Sequence, residues 1–172
     1  MLKSLSFIPI PFSNRGSRNG GMTRNEKLVI EGWCEAIRNR DIAKVKRFAA
    51  NDSICHYKGA DSSMPLEVML EACGSVFKSF PDHKVEWDTV KEVSPGLVQI
   101  TNFYGHGTHT GVPFGFATFP AIPATNKYVK ETPFTMVIEV KRGKMTFLQF
   151  DTEKGELYGP PGHYVKIGGK LC

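Results

Sequence analysis

Phe80-Pro81-Asp82-His83-Lys84-Val85-Glu86 divides the chain into two kinds of sequence. Before it, apolar residues follow the helical period. Leu66, Met69, Leu70, Cys73, Val76, Phe77 and Phe80 fall on one face of a 3.6-residue repeat, and Pro81 ends it. After it, Lys84–Val93, Leu97–His109, Val129–Val140 and Lys144–Phe150 are runs of β-branched and aromatic residues with alternating stretches. Turn signals separate them, among them Ser94-Pro95-Gly96 and Lys141-Arg142-Gly143. Helices first and strands afterwards predict an α+β domain, with helices covering one face of a curved antiparallel sheet.

Working back from that divide, Thr23-Arg24-Asn25-Glu26 has the spacing of a capping box. Val29, Trp33 and Ile37 follow at four-residue intervals and predict an apolar helix face. Asp41 is placed to cap a shorter helix carrying Ile42, Val45 and Phe48. The helix that ends at Pro81 is predicted to start near Ser63 or Met64, with Pro65 in its first turn. A short strand, Ser53–Tyr57, lies between the helices. Residues 23–151 thus form the domain. Residues 152–172, rich in glycine and proline, read as an irregular C-terminal tail that packs loosely or caps the domain. Residues 1–22 are basic, acid-free and broken by Pro9 and Pro11, and read as a flexible extension or a transit peptide.

At 172 residues, with 41% hydrophobic and 23% charged residues, the chain has the composition of one soluble globular domain. Its net charge of +5 invites a nucleic-acid reading. Four of the cations, Lys3, Arg15, Arg18 and Arg24, precede the first acid, which leaves 18 bases against 17 acids in residues 26–172. A nearly neutral domain argues against nucleic acid as a partner. No apolar run approaches the roughly 20 residues of a membrane-spanning helix. Cys34, Cys55, Cys73 and Cys172 form no C-x-x-C pair, so reduced thiols in the cytoplasm are expected, or in an organelle if residues 1–22 are a transit peptide. No phosphate-binding loop, nucleotide fingerprint or nucleophile elbow is present, and no cofactor is expected. His106-x-x-His109 has an odd spacing that separates the rings on a strand, so no metal is expected. Glu86, Asp88, Glu92, Glu131 and Glu139 alternate with apolar residues and read as solvent-facing sheet positions.

Several short segments, in order, resemble one family. They are Ala50–Tyr57, the Phe80–Glu86 divide, Gly107-Thr108-His109-Thr110-Gly111, Pro123-Ala124-Thr125-Asn126-Lys127 and Arg142-Gly143-Lys144-Met145. Together they resemble the nuclear transport factor 2-like superfamily and its SnoaL-like polyketide cyclase group over about residues 26–151. The resemblance implies a cone-shaped fold around a cavity. It also implies an acid/base Asp near the end of the last strand, helped by a His on the strand before. Here those positions fall on Phe150, with Asp151 next to it, and on Thr135. Alternation sends Phe150 and Asp151 to opposite faces, so Asp151 serves only if a bulge or strand-end twist turns it inward.

Two functions stay open. One is an acid/base enzyme of cyclase or isomerase type, acting on a small lipophilic carbonyl or polyketide-like compound. Asp151 would be its proton carrier, His109 or His56 its helper, and Tyr104 and Asn102 its orienting donors. Trp33, Phe114, Phe116, Thr135 and Phe150 complete the candidate ligand contacts. The other is a non-catalytic module that binds a small apolar molecule or forms a homodimer. In that reading the Phe-rich loop, residues 111–124, supplies apolar surface to a second copy.

Overall fold

The structure is a computed structural model and describes residues 23–171. The extension at 1–22 and the thiol of Cys172 lie outside the described residues. Helix α1 is Arg24–Arg38, α2 Ile42–Phe48, α3 Leu66–Ser79 and α4 Gly159–Lys166. The strands are β1 Ala49–Tyr57, β2 Ser62–Pro65, β3 Lys84–Glu86, β4 Val90–Ser94, β5 Leu97–Thr108, β6 Tyr128–Lys130, β7 Phe134–Lys141 and β8 Lys144–Asp151. The capping box of α1 forms as its spacing predicts: Glu26 N–H donates to Thr23 Oγ1 at 3.2 Å and Thr23 N–H to the Glu26 carboxylate at 2.8 Å. Asp41 caps α2 through Lys44 N–H at 2.9 Å. Helix α3 starts later than its periodicity predicts, because Ser62–Pro65 pairs with β1 as an edge strand.

The sheet runs β2-β1-β8-β7-β5-β3, with β4 and β6 also on β5. It is mixed, which corrects the all-antiparallel expectation: β1 lies parallel to β8, and residues 58–143, with α3 and strands β2–β7, form the long connection that parallel neighbours require. Lys84–Val93 and Val129–Val140, expected as single strands, are each broken in two. The breaks at 87–89 and 131–133 flank a bulge in β5, where the register slips between Ile100 and Phe103 and Asn102 takes φ 51°. Pro133 has no N–H to give the ladder, so its strand is interrupted there. Three aligned irregularities bend the sheet sharply at one level. The main core lies between this bend and α1–α3, around Trp33, Leu66, Leu70, Ile100, Ile138 and Leu148.

A second, smaller core closes the wide end. Residues 111–124 fold back on the body, pinned by Gly111 N–H to Ser79 O at 2.9 Å and by paired backbone bonds between Phe114 and Ile122. Residues 159–166, expected to be irregular, form α4. Its prolines occupy the first turn, where their missing N–H groups have no helical partner to lose. Phe80, Phe114, Val129, Tyr164 and Ile167 are buried together there, and Tyr164 O–H donates to Pro120 O at 2.9 Å. Phe114 and Phe116 therefore pack within the chain.

Candidate active site

Inside the cone, under α4, lies a cavity of about 60 Å³. Its wall is apolar apart from His83, Glu131 and His163, which come from the turn after α3, the β6–β7 break and α4. Glu131 is 4% exposed. Its carboxylate accepts N–H from Gly105 at 2.7 Å and from Gly159, and lies 3.4 Å from His163 Nδ1. Burial pushes its pKa up, but the charge of His163 and these hydrogen bonds outweigh burial and hold it below the usual value. His163 Nδ1 is also 3.0 Å from Gly159 O, and its Nε2 is 3.2 Å from His83 Nε2. His83 Nδ1 is buried without a hydrogen-bond partner. Burial, then the like charge of His163, depresses the His83 pKa from 6.5 to about 3.

The glycines of β5 make room for this chain of groups. A Cβ on Gly105 would stand 2.8 Å from His83 Nε2 and 2.9 Å from a Glu131 oxygen, and one on Gly107 3.0 Å from His83 Cα. Four further buried polar atoms among the described residues lack partners: Trp33 Nε1 at the cavity wall, the hydroxyl of Tyr57, and Ser79 Oγ and His109 Nε2 outside that wall. The Tyr57 hydroxyl lies beside Gly159, where a Cβ would be 3.5 Å away. The Glu131 oxygens and His163 Nδ1 are taken up by one another and by backbone groups, so the cluster is a hydrogen-bonded chain. Among the described residues, no group of three or more His, Cys, Asp or Glu is arranged to hold a metal ion.

A family model described as SnoaL-like polyketide cyclase matches residues 27–146. The chain belongs to the SnoaL-like polyketide cyclase family. Solved structures agree on the fold of this SnoaL-like chain. AclR from Streptomyces galilaeus, provisionally a hydroxylase, is 15% identical with a TM-score of 0.61, over 83% of this chain and 80% of its own. IdmH from Streptomyces antibioticus, provisionally a polyketide cyclase, is 19% identical with a TM-score of 0.55, over 73% and 89%. An NTF2-like protein of unknown function from Burkholderia pseudomallei is 14% identical with a TM-score of 0.55, over 85% and 99%. At these identities the likeness is one of fold. No curated protein matches the sequence.

Of the candidate residues read from the sequence, the SnoaL-like chain brings Trp33 and Phe150 to the cavity wall. Asp151 does not turn inward: it sits opposite Thr135 on the outer face, paired with Lys58 at 2.7 Å. His56 also faces outward, bonded to Ser63 Oγ at 2.9 Å, while its neighbour Tyr57 is buried. His109 is buried, stacked on Phe80 and bonded to Thr125, but outside the cavity wall. Tyr104 and Asn102 lie outside the cavity and donate to the carboxylates of Glu86 and Asp88. Phe114 and Phe116 belong to the second core. Glu131, expected at the surface, is the correction with most consequence. It shares the face of Val129, two residues before it, and that parity was the available signal.

Proposed function

We propose that the chain is a cofactor-independent acid/base enzyme of isomerase or cyclase type, and that His83 takes a proton from carbon next to the carbonyl of a small lipophilic compound. One observation carries this reading: an imidazole nitrogen without a partner, on a buried ring that lines an apolar cavity. Such a group is costly unless a ligand uses it. At neutral pH the His83 ring is uncharged, as a general base must be. In the reaction the C–H bond breaks, its proton goes to Nδ1 and its electron pair moves onto the carbonyl oxygen as an enolate. Trp33 N–H, at the cavity wall, is a free donor for that oxygen, and the Tyr57 hydroxyl stands without a partner beside Gly159, another wall residue. Burial raises the Tyr57 pKa well above its ordinary value, so its proton stays in place.

The test is hydrogen–deuterium exchange at the α-carbons of acetone and acetophenone, followed by NMR in heavy water. The full chain is expected to catalyse exchange, and His83→Gln to lose about 100-fold or more of it. Exchange that survives this substitution removes the assignment. The small volume of the cavity favours a second reading, a non-catalytic binding module. It predicts protection of a bound ketone without exchange. Homodimerisation through the loop would draw on Val112 and the half-buried rings of Phe116 and Phe119, since Phe114 is buried within the chain.

A further inference from the structure

We infer that Glu131 is the positioning residue of this site: acting through His163, it decides which nitrogen of His83 carries the hydrogen. Counting donors and acceptors along the chain leads there. His163 Nδ1 faces two acceptors, the Glu131 carboxylate at 3.4 Å and Gly159 O at 3.0 Å, so Nδ1 carries a hydrogen. With its one hydrogen at Nδ1, the His163 ring offers only a lone pair at Nε2. His83 Nε2, 3.2 Å away, must supply the hydrogen between the rings, which leaves His83 Nδ1 with its lone pair free. Remove the carboxylate charge and His163 loses the partner that favours Nδ1–H.

The same count describes the site after proton uptake. A proton arriving at His83 Nδ1 displaces the Nε2 hydrogen onto His163 Nε2. His83 is neutral again, now as the other tautomer, and the positive charge rests on His163 beside Glu131. One proton enters, one moves across, and none is lost. Charge thus collects on the ring next to the carboxylate and not on His83, which burial keeps from holding it. The surrounding ionisable groups do not compete for that role. Burial holds Cys73 near 12 and Tyr57 above its ordinary value, so both stay neutral. Asp82 is engaged by Thr108 N–H and O–H, Arg40 by Pro81 O, His106 by Glu86 and Tyr128 on the outer face, and His109 by Thr125 beyond Phe80. Burial raises the Tyr158 pKa above its ordinary value, so its phenol stays neutral.

The role of the tautomer in catalysis rests on the acid/base reading above; the tautomer itself does not. Nitrogen-15 NMR of the full chain, labelled in histidine, reads it directly. At neutral pH His83 is expected as the Nε2–H form. On acidification it is expected to pass to the Nδ1–H form while His163 gains its second hydrogen. Glu131→Gln is expected to lower the pH of that passage by a unit or more and to slow ketone α-hydrogen exchange about 10- to 100-fold. Glu131→Asp, which keeps the charge, is expected to recover part of both. A wild-type His83 found as the Nδ1–H form at neutral pH overturns the inference without any variant. So does a pH passage that Glu131→Gln leaves in place. If the tautomer follows this pattern but ketone exchange is absent, the acid/base reading fails and the positioning role stands.

Discussion

Gly105 has a hydrogen where a side chain would meet both His83 and Glu131. Gly105→Ala is therefore expected to cost about 1–3 kcal/mol by overpacking. Thermal denaturation should show this as a fall in Tm of roughly 2–4 °C per kcal/mol. Gly74→Ala is the contrasting case. It lies inside α3, its Cβ would meet only Ile42 at an ordinary 3.7 Å, and it is expected to raise stability by about 0.5–1 kcal/mol. His83 sets a pH dependence whose sign follows from burial. The unfolded chain binds a proton there below about 6.5 and the folded chain only near 3, so protons favour unfolding in between. Stability should fall as pH drops from 7 to 4, and His83→Gln should flatten that fall in melts at each pH. Equal slopes for the two proteins would refute it. At this scale the sequence was legible in parity and not in identity. Alternation correctly separated Phe150 from Asp151, while Glu131, read as solvent-facing, shares the inner face of Val129. A carboxylate on an inner face is intelligible only once His163 arrives, and nothing periodic marks that residue in a glycine- and proline-rich segment.

Strand β5 organises the element scale, because its bulge sets the bend that forms the cavity. Asn102 holds that bulge at φ 51°, a conformation which β-branched residues resist. Asn102→Val is expected to lower stability by about 1–3 kcal/mol, and Asn102→Gly by less, since glycine adopts this φ freely and loses only the bond to Asp88. Denaturant unfolding should show the midpoint moving at constant slope. A valine variant as stable as the parent would mean that the bulge is set elsewhere. Alternation identified β5, β8 and the inner helix faces from local pattern alone. It ran β3 into β4 and β6 into β7, because Trp87 and Thr132 continue the pattern on either side of each break. Pro133 was the local sign of one break. The other depends on a bulge in a neighbouring strand, which pairing reveals and local sequence does not.

On the scale of the whole molecule, the two cores share one set of partners. The main core was legible because its helices and strands are periodic. The second was not, since residues 111–124 and 159–169 have no repeat and acquire order only against each other. Phe114, Phe116 and Phe119 surround the Tyr164 ring at centroid distances of 5.5–6.2 Å, so the loop and α4 are each half of the other's apolar cover. Releasing either one exposes the aromatic face of the other, at roughly 1.5–3 kcal/mol per large side chain. The two should therefore lose structure together, as one cooperative unit above a more stable cone. Native-state hydrogen exchange provides the check through four backbone bonds: Phe114 and Ile122 with each other, Ile167 to His163 O and Gly169 to Tyr164 O. These amides are expected to exchange with one common opening rate, faster than Ile138 or Leu148 in the central strands. Tyr164→Phe removes only the bond to Pro120 O, worth about 1 kcal/mol, and should speed all four about fivefold while leaving the central strands unchanged. Exchange of the α4 amides without those of the loop would show two independent covers. Access to the cavity would then be controlled by the helix alone.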